Sequence, residues 1–105
     1  MSVLYISEYS NVASVDTQRG VRENPTPVAQ EPAVAEQHIS ITAGSVQSAA
    51  FNTATRMIRV HADAVCSIAI GTNPTAVATA KRLAANQTEY FGVSPGHLIA
   101  VITNT

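Results

Sequence analysis

Apolar and polar residues alternate along most of this chain with a period of two, the repeat of a half-buried β-strand. In the opening segment Ser2–Tyr9 (SVLYISEY), Val3, Tyr5 and Ser7 fall on one face and Leu4, Ile6 and Glu8 on the other, which predicts a strand. From residue 37 onward, short β-prone runs recur between turn residues, the pattern of an all-β sandwich or barrel. Gln37–Thr42 sets Ile39 and Ile41 against His38, Ser40 and Thr42, and Ala43-Gly44-Ser45 reads as a turn. Val46–Phe51 and Arg56–Ala64 follow, the latter with Ile58, Val60, Ala62 and Ala64 facing inward and Met57, Arg59, His61 and Asp63 opposite. Cys66, Ile68 and Ile70 form the apolar face of the next strand, which Gly71–Thr75 closes as a turn. Glu89–Val93 and Leu98–Thr103 are expected to pair as a hairpin about Ser94-Pro95-Gly96-His97, whose central Pro and Gly suit a type II turn. Ala76–Ala85 is the one helix-capable stretch, being rich in Ala, Lys, Arg and Leu. Its marginal length, and the alternation of Ala76, Ala78 and Ala80 with Val77, Thr79 and Lys81, favour extended structure instead.

Between the first strand and these runs, Ser10 to Glu36 shifts to Ser, Asn, Gln, Glu and Pro, with Gly20, Pro25, Pro27 and Pro32. Prolines withdraw ladder donors and break helices, so this segment reads as a linker or extended arm that is either disordered or ordered against a partner. The expected organisation is an N-terminal strand (1–9), an arm (10–36) and a β-sandwich domain (37–105).

Composition narrows the function. Of 105 residues, 46% are hydrophobic, but Ala and Val supply most of them and there is no Trp, so the core is thin and subunit contacts could supply what the monomer lacks. A net charge of −1 gives no long-range attraction for nucleic acid or an anionic membrane. Its distribution is uneven. Glu8, Asp16, Glu23, Glu31 and Glu36 outnumber Arg19 and Arg22 in the first half, while Arg56, Arg59, Lys81 and Arg82 outnumber Asp63 and Glu89 in the second, which suits an acidic arm lying on a weakly basic neighbour. Cys66 is the only cysteine, so no intrachain disulfide forms, and no window is apolar enough to span a bilayer as a helix. His38, His61 and His97 lack metal-ligand spacing, the five glycines are too scattered for a phosphate-binding loop, and GxSxG is absent. Outside the arm the acids are few, which argues against acid–base catalysis. A pocket joining His61, Asp63 and Cys66 is the arrangement that would reopen an enzymatic reading, although Cys66 is expected to point away from the other two. No cofactor is expected.

The block Ile58–Ala76, with Arg82-Leu83-Ala84-Ala85-Asn86, Glu89-Tyr90-Phe91-Gly92-Val93 and Pro95–Val101, resembles small accessory virion structural proteins of tailed bacteriophages. The resemblance covers about residues 39–102 and carries no catalytic motif. It implies a small β-sandwich, jelly-roll-like, that coats or joins parts of a particle: a capsid decoration or cement protein made in the host cytoplasm and housed in the virion. The implied partners are the major capsid protein or other virion proteins, and copies of the chain itself. A head–tail collar or tail component is the alternative, and a carbohydrate-binding β-sandwich module a second. The partner-binding candidates are Leu4, Tyr5, Ile6 and Tyr9 in the first strand and Tyr90 in the aromatic Tyr90-Phe91 pair.

Overall fold

The computed structural model describes residues 2–16 and 23–104, and every regular element among them is a β-strand. The strands are β1 (Val3–Tyr9), β2 (Val12–Asp16), β3 (Glu23–Ala29), β4 (Ala35–Ser40), β5 (Val46–Gln47), β6 (Met57–Ala62), β7 (Cys66–Gly71), β8 (Lys81–Leu83), β9 (Thr88–Gly92) and β10 (Leu98–Thr103). Eight of them form two antiparallel sheets in the orders β4-β1-β6-β9 and β5-β10-β7-β8, and β2 pairs only with β3. The chain is therefore all-β, a small β-sandwich. Ala76–Ala85 is not helical and contributes β8 from its middle.

The core lies between the sheets, where the period-two pattern placed it. Leu4 and Ile6 from β1, Ile58, Val60 and Ala62 from β6, Cys66 and Ile68 from β7, Leu83 from β8, and Ile99 and Val101 from β10 are all buried there. Phe51 and Ile41 close the cluster from the loops, with Ile39, Ile70, Phe91 and Val93 packed at its margin.

Most connections cross from one sheet to the other, and this overturns the expected terminal hairpin. Ser94–His97 does make the type II turn: His97 N–H donates to Ser94 C=O at 3.2 Å, and Gly96 sits at φ 80°, where a side chain would be strained. The flanking strands nevertheless part company, β9 pairing with β6 and β10 with β7 and β5. Phe51 holds the turn from the side, donating its N–H to His97 C=O and accepting from Gly96 N–H. Asn86, at φ 61°, makes the other tight reversal, from β8 into β9.

The pairing order is that of a jelly roll with one displacement. Counted from β4 to β10 the chain fills seven of the eight jelly-roll places in sequence. The eighth place, between the first and third strands, is the one a strand after β10 would ordinarily take, and β1 fills it from the other end of the chain. The two ends meet there: Ser2 C=O accepts from Ile41 N–H at 3.0 Å, and Thr103 N–H donates to the adjacent Thr42 C=O at 2.8 Å.

Two expectations about the first third of the chain are corrected by this arrangement. The N-terminal strand is not separable from the domain, because β1 is an inner strand with β4 on one edge and β6 on the other. Nor are the described residues of 10–36 an irregular arm: β2 and β3 form an antiparallel ribbon and Ala35 and Glu36 already belong to β4, while 17–22 of that segment lie outside the described residues. Pro27 is tolerated in β3 because it falls where the register shifts between Val12↔Ala29 and Ser14↔Pro25, an irregularity that interrupts the ladder, and Pro25 lies at the margin of that shift.

Removing residues 1–9 should leave no cooperative unfolding transition, and Leu4→Ala or Ile6→Ala should each cost about 2–5 kcal/mol in chemical denaturation. A permutant running from residue 30 to 104, then through a linker of about six residues (reach ~20 Å) to residues 2–9, should fold with native circular dichroism. An unfolded permutant would contradict the strand assignment.

Candidate functional site

The structure separates the residues expected to bind a partner. Leu4 and Ile6 are core residues, 0% and 1% exposed, and Tyr9 is 3% exposed, so none of the three is available as an interface anchor. Tyr5 and Tyr90 remain open, at 47% and 52%. The reason is the alternation along β1: once the strand is inserted between β4 and β6, its Leu4-Ile6-Glu8 face turns inward and its Tyr5-Ser7 face outward.

The outward face of that sheet gathers the chain's polar chemistry into rows. In one row His38 of β4, Tyr5 of β1, His61 of β6 and Thr88 of β9 stand side by side; in the next, Glu36, Ser7, Arg59 and Tyr90 do. Tyr5, Ser7, Glu36, Gln37, His38, Arg59 and His61 line a shallow hollow of about 450 Å³. Tyr5 and His38 form an angled wall, their ring centroids 6.1 Å apart and their planes at 46°. His61 Nδ1 lies 2.8 Å from Thr88 Oγ1, which fixes the ring's orientation. Ser7 Oγ donates weakly to Glu36 Oε2 at 3.4 Å. Arg59 has neither an acidic partner nor a hydrogen-bond acceptor among the described residues.

The opposite sheet has no comparable face, because the 72–80 loop lies over it. Ser67 Oγ and Asn104 Nδ2 both donate to Ala78 C=O, and Asn104 Nδ2 also donates to Ser67 Oγ at 2.7 Å. Gln47 Nε2 donates to Asn73 Oδ1 and Pro74 C=O, while Ala76 N–H donates to Ser45 Oγ. Small side chains let this loop sit close, so Ser67, Ala76 and Ala100 are buried although they lie outside the core.

Three titratable groups are buried among the described residues. Glu8 is 2% exposed and holds the end of the sandwich together: its Oε1 accepts from Asn52 N–H and Thr55 Oγ1, both at 2.8 Å, and its Oε2 accepts from Gln37 Nε2 at 3.0 Å. Gln37 is itself held by Ala49, whose N–H donates to Gln37 Oε1 at 3.0 Å. The network joins β1, β4 and the 48–55 loop. Cys66 is wholly buried and without a disulfide, and burial pushes its thiol up to about 11. Tyr9 donates its hydroxyl to Glu31 Oε2 at 2.9 Å, and burial, with that carboxylate, raises its phenol above the ordinary value.

His61, Asp63 and Cys66 do not converge: His61 faces the hollow, Cys66 faces the core, and Asp63 follows β6 in an exposed bend. Among the described residues no three His, Cys, Asp or Glu side chains cluster as metal ligands would. Sequence reasoning placed Arg59 and His61 on one face of their strand and Tyr5 and Ser7 on one face of theirs, but nothing in the spacing told that those faces adjoin. Comparison with family models, curated proteins and solved structures yields no match to this chain.

Glu8→Ala should destabilise by about 2–3 kcal/mol, since it strands the buried Thr55 hydroxyl and two part-buried donors, and Glu8→Gln by about 1–3 kcal/mol, since its amide places a donor against a donor. Equilibrium unfolding measures both. Cys66 should resist thiol–disulfide reagents at pH 8 in the native protein and react fully in denaturant, because only about one thiol in a thousand is ionised three pH units below its pKa. The raised value also means that the buried thiol's contribution to stability is complete below pH 9.0 and declines as pH rises toward about 11.

Proposed function

We propose that this chain is a non-enzymatic structural subunit of a tailed-phage virion, a capsid decoration or cement protein that acts in several copies against the major capsid protein. The observation that carries this reading is the β2–β3 ribbon. It continues the β1–β4 hairpin beyond the sandwich: Val34 N–H donates to Glu8 C=O and Gln30 N–H to Asn11 C=O, and past that point the strands pair only with each other. The resulting molecule measures 53 × 25 × 22 Å.

A two-stranded ribbon is marginal in water without a surface to rest on, and its free edges invite pairing with another chain. A subunit that meets its partner through such a ribbon gains the contacts its thin core lacks. The jelly-roll order supports the same reading as an architecture also used by viral capsid domains.

The ribbon can be removed without cutting the sandwich, because the Gln30–Asn11 hydrogen bond brings its two ends together. Replacing residues 12–29 with Asn-Gly should leave a folded protein that no longer co-sediments with capsid shells, while the full chain loads at high copy number. Equal loading of the shortened protein would sink the proposal. Loading of only a handful of full-length copies per particle would move it to the head–tail collar or tail.

A further inference from the structure

We infer that the hollow on the outward face of the β4-β1-β6-β9 sheet is a binding site for a carboxylate-bearing sugar, a uronic or sialic acid unit. This goes beyond the assembly role and does not depend on it, since the ribbon and the hollow use different residues.

Three features of the hollow select this chemistry. Arg59 presents a planar fork of donors, with no partner among the described residues, at a half-buried position in the floor. That fork matches a carboxylate through two parallel hydrogen bonds. Tyr5, in its angled contact with His38, lines the hollow, and Tyr90, outside its lining but beside Arg59 in register, is a second exposed aromatic ring on the same face. A pyranose ring offers apolar C–H faces to such rings and hydroxyls around its rim. Ser7, Glu36 and His61 supply groups for those hydroxyls, and the Thr88 contact at His61 Nδ1 leaves Nε2 for the ligand.

Charge placement limits the ligand to one acidic group. Glu36 stands two strands from Arg59, roughly 10 Å away at ordinary strand spacing. It accepts hydroxyls there and repels a second anion, so a polyphosphate or nucleic acid backbone is disfavoured. The volume of about 450 Å³ falls inside the range of small-molecule sites, roughly 300–1,000 Å³, and its open shape suits the end of a glycan.

The test is a ¹⁵N NMR titration of the full chain with 3′-sialyllactose, with glucuronate, with lactose and with sodium sulfate. At least one acidic saccharide should shift the amides of Tyr5, Ser7, Glu36 and Arg59 with a dissociation constant of about 1 mM or tighter, and lactose should bind at least about tenfold more weakly. Arg59→Gln should erase the preference for the acid, and Tyr90→Ala should weaken both saccharides; neither residue belongs to the core, so each variant's spectrum reports its own folding. The inference is overturned if neither acidic saccharide binds, if lactose binds equally well, if sulfate alone reproduces the shifts, or if folded Arg59→Gln keeps the preference.

Discussion

Strand β1 is hydrogen-bonded along both edges, to β4 and to β6, and the sandwich cannot close without it. Leu4 and Ile6 fill the middle of the core, and Glu8 at the end of the same face collects the donors of Gln37, Asn52 and Thr55. A single period-two segment therefore delivers an apolar anchor and a polar clasp to one side of a sheet. The other side of the same strand places Tyr5 and Ser7 at the centre of the exposed hollow. Core, clasp and face all depend on β1 occupying the place that a strand after β10 would ordinarily take.

The two outward faces of the sandwich are used differently, and residue size explains how. On the β5-β10-β7-β8 side, Ser67, Ala69 and Ala100 present little bulk, which lets the 72–80 loop lie over the sheet and exchange hydrogen bonds with Ser45, Gln47, Ser67 and Asn104. On the β4-β1-β6-β9 side, the outward positions carry long or ringed side chains, Tyr5, His38, Arg59, His61 and Tyr90, and no loop covers their hollow among the described residues. Within the alanine-rich run, Ala76 is buried where the loop meets the sheet, while Ala78, Ala84 and Ala85 stand exposed.

Much of the fold was legible because strand faces follow from alternation alone. The inward sets of β6 and β7 could be read directly, and so could the Pro95-Gly96 turn, whereas Leu4 and Ile6 of β1, expected at a partner's surface, lie in the core. Partner choice could not. A type II turn fixes four residues, not the destinations of the strands it joins, and here Phe51 draws the turn across to the second sheet. The prolines suggested the absence of a strand, whereas β3 carries them at a shift of register. The hollow was illegible for the same reason: Glu36, Tyr5 and Arg59 come from three separate strands, and their adjacency exists only once β1 has been placed between β4 and β6.

The displaced first strand also sets the tempo at which the molecule can form. Leu4 opposes Ala62, so the strand made earliest waits for more than half the chain before its inner neighbour exists. Distant pairings of this kind carry a large loop-closure entropy ahead of any reward and put β-sandwiches among the slow folders. During that interval β1 can hold only its β4 neighbour, with Leu4 and Ile6 uncovered on one side. A nascent chain of this protein is consequently most exposed to aggregation before β6 emerges.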